Sequence, residues 1–113
     1  MADCLFCRIV AGEVPASIVA ETADTVAFRD INPQAPVHVL VIPREHHTDI
    51  ATLAAADPGL AGRLCADAAA VARAEGVGDA FRLVFNTGAP AGQSVFHVHG
   101  HVLGGRPFSW PPG

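Results

Sequence analysis

Apolar residues in this chain fall into short runs broken by Gly, Pro and Asp, with one longer stretch at helical spacing. Ser17 to Glu21 and Thr25 to Arg29 read as two short strands, joined by Thr22-Ala23-Asp24 as a loop of hairpin length. Val37 to Pro43 is nearly all apolar and β-branched, which predicts a strand at the sheet centre. Asp57-Pro58 has the form of an N-cap followed by Pro at the first helical position. From there Leu60, Leu64, Ala68, Val71, Ala72 and Glu75 recur at three- and four-residue spacing, so one long amphipathic helix is expected, ended by Gly76 and Gly78. Cys65, beside that stripe, reads as a small buried hydrophobe. Phe81 to Asn86 and Val95 to Leu103 predict the last two strands, with Thr87 to Ser94 as a Gly/Pro/Ala loop between them. Cys4 to Val10 reads as one or two helical turns, and Asp30 to Pro36 is loop by its two prolines. Five strands around one long helix predict an α+β fold with a mostly antiparallel sheet.

With 113 residues, the chain fits a single domain, 1–113. Hydrophobic residues make up 50% and charged residues 16%, enough apolar surface to offset ordering entropy, which excludes a disordered chain. A domain of this size buries only roughly 65% of its unfolded surface, so half-apolar composition points to a partner covering part of it. The net charge of −4 argues against a broad basic face for nucleic acid or an anionic membrane, while a local pocket for one phosphate stays compatible with it. No apolar run reaches the ~18 residues of a membrane span, and Met1-Ala2-Asp3-Cys4 lacks the basic and apolar regions of a signal peptide. Three cysteines, an odd number, fit reduced thiols in a cytoplasmic protein.

Candidate chemistry is concentrated in His97-Val98-His99-Gly100-His101, which holds three of the six histidines. On a strand these three project to one side, with Cα spacings of roughly 7 Å, while Val98, Gly100 and Val102 face the other way. A structural row, an all-His zinc site with an open position, and a nucleophilic or acid–base histidine are the readings this pattern allows. The preceding loop holds Asn86, Gly88, Gly92, Gln93 and Ser94. Glycines let backbone N–H groups approach an anion, and the other three add neutral donors, so the loop reads as a hairpin connection or a phosphate cradle. Neutral imidazole attacks phosphorus well and forms a labile phosphoramidate. Cys4 and Cys7 form a C-x-x-C with zinc-ligand spacing; reduced buried thiols and a redox pair are the other readings. Zinc needs two more ligands, for which His46 or His47 and His97 are candidates.

His97 to Leu103 resembles the histidine-triad signature, His-x-His-x-His with apolar residues interleaved. Phe28 to His38, Val41-Ile42-Pro43, Gly92 to Phe96, Gly104-Gly105-Arg106 and Trp110-Pro111-Pro112-Gly113 are similar to the Hint branch of that family, and the likeness runs from Cys4 to Gly113. His101 in third place resembles the hydrolases of the superfamily more than its nucleotidyltransferases. The resemblance implies the histidine-triad fold, with a short N-terminal helix and sheets joined across a homodimer, and a purine nucleoside phosphoramidate hydrolase. His99 would attack the α-phosphorus and expel an amine, and water would then release AMP or GMP. His101 would contact the phosphate and assist with protons. Asn86, Ser94 and the backbone of Gln93, beside Gly92, would hold the phosphate and leaving group. Asp30 would hold the ribose hydroxyls, Phe6, Phe28 and Ile31 would line the base pocket, and His38 would lie near the ribose.

Zinc-containing relatives resemble this chain in their C-x-x-C, the histidine after Ile-Pro and the first triad histidine. That implies a closed structural site on Cys4, Cys7, His46 and His97, with His47 exposed to solvent and no organic cofactor. The tail from Arg106 to Gly113 is implied to carry Trp110 toward a partner subunit's pocket. Gly100 stands where the family has an apolar residue, and Arg29 has no assigned role. The competing readings are a dinucleoside polyphosphate hydrolase of another histidine-triad branch and a zinc-stabilised nucleotide-binding adaptor with little turnover.

Overall fold

The computed structural model describes residues 3–113; Met1 and Ala2, which entered the expectation about the leader, lie outside the described residues. The elements in chain order are α1 (Leu5–Val10), β1 (Ile18–Glu21), β2 (Thr25–Arg29), β3 (Val37–Pro43), α2 (Ile50–Ala56), α3 (Pro58–Ala74), β4 (Phe81–Val84) and β5 (Gly100–Gly104). The strands form one antiparallel sheet in the order β1-β2-β3-β5-β4, so the most apolar strand is central, as its composition predicts.

Strand alternation assigns the two faces. Ala27, Val39, Val41 and Val102 point to the α3 side and close a core with Leu53, Leu60, Leu64, Ala68, Val71 and Ala72. Val26, Phe28, Leu40 and Ile42 point to the opposite side, where Phe6 of α1 covers them. Both faces of β2 and β3 are therefore buried, which is why these strands read as apolar runs. The Asp57 cap forms as expected, its Oδ1 accepting from the Leu60 N–H at 3.0 Å. The sequence reading left Ile50–Ala56 unassigned. It forms a helix capped by Asp49, whose side chain accepts from the Thr52 N–H at 2.8 Å. Among its residues only Leu53 is buried, so the segment carries almost no periodic signal.

Three expectations are corrected. The last strand starts at Gly100, not Val95: the Val98 N–H donates to the His47 carbonyl at 2.8 Å, outside the sheet ladder, and residues 95–97 bend. The fourth strand ends at Val84, not Asn86, because its partner β5 offers pairing only for Phe81 to Val84. Cys65 is exposed, since it sits one position past Leu64 and turns off the buried stripe. Gly100 does face away from the histidines. A Cβ there would lie 2.9 Å from Leu83 Cδ1 and Phe85 Cζ, so those two side chains occupy the volume an apolar residue would take. Among the described residues, no helix is long and apolar enough to cross a membrane.

Candidate functional site

The bend before β5 separates the three histidines into two duties. His97 is fully buried and turns toward α1. Its Nε2–H donates to the Pro43 carbonyl at 2.8 Å, which leaves Nδ1 as a lone pair. That Nδ1 lies 3.4 Å from Cys4 Sγ, 3.4 Å from Cys7 Sγ and 3.2 Å from His46 Nδ1, and Cys7 Sγ lies 3.3 Å from His46 Nδ1. Ligand atoms around a tetrahedral zinc stand roughly 3.3–3.8 Å apart, from bonds of about 2.3 Å to sulfur and 2.0–2.1 Å to nitrogen. Two thiols and two imidazole lone pairs at this spacing fit the ion, and all four atoms lie within 4.8 Å of one another. Burial pulls His97 down to about 4 and lowers His46, so both rings are neutral and able to ligate. Burial, then the Cys4 contact, raises the Cys7 thiol, the opposite of what a lone reactive cysteine requires. His47 is not exposed as expected: its side chain retains 13% exposure and Nε2 meets Glu45 Oε1 at 2.7 Å.

His99 and His101 belong to the second group. His99 Nδ1–H donates to the His97 carbonyl at 2.8 Å, so Nε2 keeps its lone pair. His101 lies opposite Leu40 in the β3–β5 register, diagonal to His38. The Gln34 N–H donates to His38 Nδ1 at 3.0 Å, so His38 carries its proton on Nε2 and donates it to His101 Nδ1 at 2.9 Å. Accepting on Nδ1 leaves His101 with Nε2–H as a donor. Burial lowers all three rings, taking His101 to about 4, which keeps these imidazoles neutral near pH 7. Asp30 Oδ2 lies 3.4 Å from His38 Nε2, a long polar contact with a neutral ring rather than an ion pair, and Asp30 Oδ1 accepts from the Asn32 N–H at 2.8 Å.

The two imidazoles face a cleft of about 510 Å³. Phe6, Phe28 and Leu40 form its apolar floor, with Asp30, Ile31 and Ser94 at its polar and exposed margin. The sequence reading missed one wall, Val14 to Ser17, which follows α1 and carries no motif. Asn86, Gly92, Gln93 and Trp110 lie outside this cleft. Gly92 packs beside Asn86, with 3.5 Å from its ideal Cβ to Asn86 Nδ2. Gln93 is buried and holds the loop together. Its Oε1 accepts from the Gly88 N–H, its Nε2 donates to the Thr48 and Val95 carbonyls, and its own N–H donates to the Gly88 carbonyl. Its donors are thus engaged within the protein, and its part is framing. Arg29 makes a two-point ion pair with Glu75 at 2.6 and 3.2 Å, tying the end of β2 to the end of α3. Trp110 is 84% exposed.

Residues 11–108 match the HIT domain family. An uncharacterized HIT-like protein of Synechocystis is 52% identical over 98% of this chain and 97% of its own. A HIT family hydrolase from Legionella pneumophila superposes with a TM-score of 0.93 at 46% identity, over 98% of this chain and all of the other. A histidine triad nucleotide-binding protein from Candida albicans superposes with a TM-score of 0.83 at 28% identity, over 96% and 83% of the two chains. With the family matched over residues 11–108 and relatives alike in sequence and in fold over nearly its whole length, this chain belongs to the HIT domain family.

Proposed function

We propose that the protein is a Hint-branch hydrolase of purine nucleoside phosphoramidates, releasing AMP or GMP through a nucleotidyl intermediate on His99. The observation that carries this reading is the fixed tautomer of His99: Nδ1–H is tied to the His97 carbonyl, and the Nε2 lone pair is left on the wall of an apolar cleft. In the first step Nε2 bonds to the α-phosphorus as the P–N bond breaks. The substrate nitrogen, protonated from solvent beforehand, leaves as a neutral amine, while His99, which keeps its Nδ1–H on the His97 carbonyl, carries a positive charge as long as Nε2 is bonded to phosphorus. In the second step water attacks the phosphorus, the P–Nε2 bond breaks, its electron pair returns to His99, and the water's proton goes to solvent.

His101 Nε2–H donates to a phosphoryl oxygen, where charge builds in both transition states. Ser94, at the cleft margin, holds the phosphate and leaving group. Phe6, Phe28 and Ile31 take the base, and Asp30 accepts the ribose hydroxyls through Oδ2, since Oδ1 already holds the Asn32 N–H. A zinc ion on Cys4, Cys7, His46 and His97 would supply folding free energy and fix the chain ahead of β5. A solved relative named as nucleotide-binding and another named as a hydrolase support the substrate class and the turnover, and the Trp-Pro-Pro-Gly ending favours the Hint branch over dinucleoside polyphosphate hydrolases.

The test is AMP release from adenosine 5′-phosphoramidate by the wild type and by His99→Ala. Turnover by the wild type alone is expected. Preference for diadenosine polyphosphates would move the protein to the other branch, and tight AMP binding with no turnover would make it an adaptor.

A further inference from the structure

Arg106 lies outside the cleft, yet it grips the residue that sets the state of the His38–His101 pair. Its Nε and Nη2 both donate to the Gln34 carbonyl, at 3.2 and 3.1 Å. The N–H of that same Gln34 donates to His38 Nδ1 at 3.0 Å, and His38 Nε2 meets His101 Nδ1 at 2.9 Å. The grip is built from several sides. Gly105, at φ +91, packs on Pro36, where a Cβ would come within 2.9 Å of the proline ring. Phe108 covers the Arg106 guanidinium with its ring centroid 4.3 Å away, and Arg82 stacks on the same ring at 5.0 Å while donating to the Ser109 carbonyl. Gln34 Nε2 donates to the Asn32 carbonyl, and the Asn32 N–H donates to Asp30, so the loop from Asp30 to Pro36 is braced from within as well.

We infer that Arg106 is a positioning residue: by holding Gln34 through its carbonyl it keeps the Gln34 N–H on His38 Nδ1, which obliges His101 to present Nε2–H to the phosphoryl group. A neutral imidazole with no fixed partner exchanges between two tautomers of similar energy. Here one backbone N–H decides the tautomer of two rings in series. If Gln34 drifts, His38 can carry its proton on Nδ1, and His101 then has to place its own on Nδ1. A lone pair would then face the phosphoryl oxygens in place of a donor. Arg106 fits the task better than Lys, because its planar fork makes two bonds to one carbonyl while its face stacks on Phe108.

The catalytic part of the inference rests on the phosphoramidase reading; the tautomer part does not. Long-range proton–nitrogen NMR of the imidazoles should show His38 and His101 with protonated Nε2 in the wild type. Arg106→Ala should show exchange-averaged nitrogens at both rings, and Arg106→Lys should fall between. Arg82→Ala loosens the tail at Ser109 and Phe108 but spares the Gln34 contact, so its tautomers should match the wild type. With adenosine 5′-phosphoramidate, loss of a transition-state donor costs ~10²-fold or more in kcat when complete, and partial loss in Arg106→Ala is expected to cost roughly 10-fold with KM within about twofold. Unchanged tautomers in Arg106→Ala would overturn the inference, as would a kcat loss in Arg82→Ala equal to that in Arg106→Ala. A wild type inactive on the phosphoramidate would remove the proposed reaction while the spectra still decide the role of Arg106.

Discussion

Phe6 and His99 meet edge to face, with ring centroids 5.1 Å apart and planes 89° apart. Phe6 sits on α1 between Cys4 and Cys7, so the helix that offers two metal ligands also supplies a wall of the cleft beside His99. Six residues are too few to be stable in isolation, so the short helix depends on these tertiary anchors, the candidate metal ligands and the packing of Phe6, Ile9 and Val10 on the sheet.

Metal occupancy should therefore be felt as stability and as nucleotide affinity. Protein purified without chelator after growth with zinc is expected to hold one zinc per chain. Cys4→Ser should lower Tm in metal-replete buffer, because binding to a closed site adds to folding free energy. KM for a nucleoside phosphoramidate should rise more than kcat falls, since Phe6 moves while the His99–His97 contact remains. Metal analysis and calorimetry check the first two outcomes. A metal-free protein of unchanged Tm would count against the cluster as a zinc site.

Acid should destabilise the fold through His101. Burial holds its folded pKa at about 4, against an ordinary value of 6.5. Between those values the unfolded chain binds the extra proton, so stability rises with pH across the window and is lost as pH falls through it. The loss begins near pH 6.5 and levels off near 4. Calorimetric Tm values from pH 7 to 4 should fall less steeply for His101→Gln than for the wild type. Parallel curves would show that the ring charges freely in the folded state.

Much of this architecture was legible because local and tertiary signals agreed. The run Val37 to Pro43, the Asp57-Pro58 cap and the stripe from Leu60 to Ala72 each took the form their composition dictates. The cysteine pair met His46 and His97, the set that the family resemblance implied, whereas ligand chemistry alone left His46 and His47 open. What the sequence did not disclose depended on partners distant along the chain. Period-two histidines implied a strand, but the His47 carbonyl takes the Val98 N–H, and the chain bends before Gly100. Gln93 looked like a free donor, though its amide closes its own loop onto Thr48. Glu75 continued the helical stripe and turned out to receive Arg29, which had no role assigned.

Gly100 offers a test of packing apart from chemistry. Its missing Cβ makes room for Leu83 and Phe85, at 2.9 Å from where the atom would stand, on the face away from the histidines. Gly100→Ala should destabilise by roughly 1–3 kcal/mol, the usual cost of overpacking a filled core, measured by urea unfolding. The double variant Gly100→Ala, Leu83→Ala should recover part of that loss, because the truncated leucine leaves space for the methyl. If Gly100→Ala is neutral, β4 is free to move outward and the packing there is loose.

A homodimer is expected from what the sheet leaves open. Strand β4 is an edge, with one side paired to β5 and none of the other four strands on its outer side. An unpaired edge flanked by apolar side chains is a template for association. Phe81, Leu83 and Phe85 are only half-buried, Phe96 is 49% exposed, and a half-apolar chain of this length has difficulty covering its own surface. The tail begins beside this edge. Up to Ser109 it is anchored on its own chain by Arg82 and Arg106, and Trp110 then projects 84% exposed. An anchored segment that ends in an exposed Trp is suited to a neighbour's surface, since Trp is enriched among residues that carry interface energy. Light scattering should give twice the chain mass at micromolar concentration, and a monomer there would defeat the dimer. Truncation after Ser109 removes Trp110 and keeps Arg106. It should change the preference between small and bulky amine leaving groups while leaving AMP affinity within about twofold, because the partner's Trp would border the amine side and not the base. An unchanged preference in a truncated dimer would place Trp110 away from the neighbouring site.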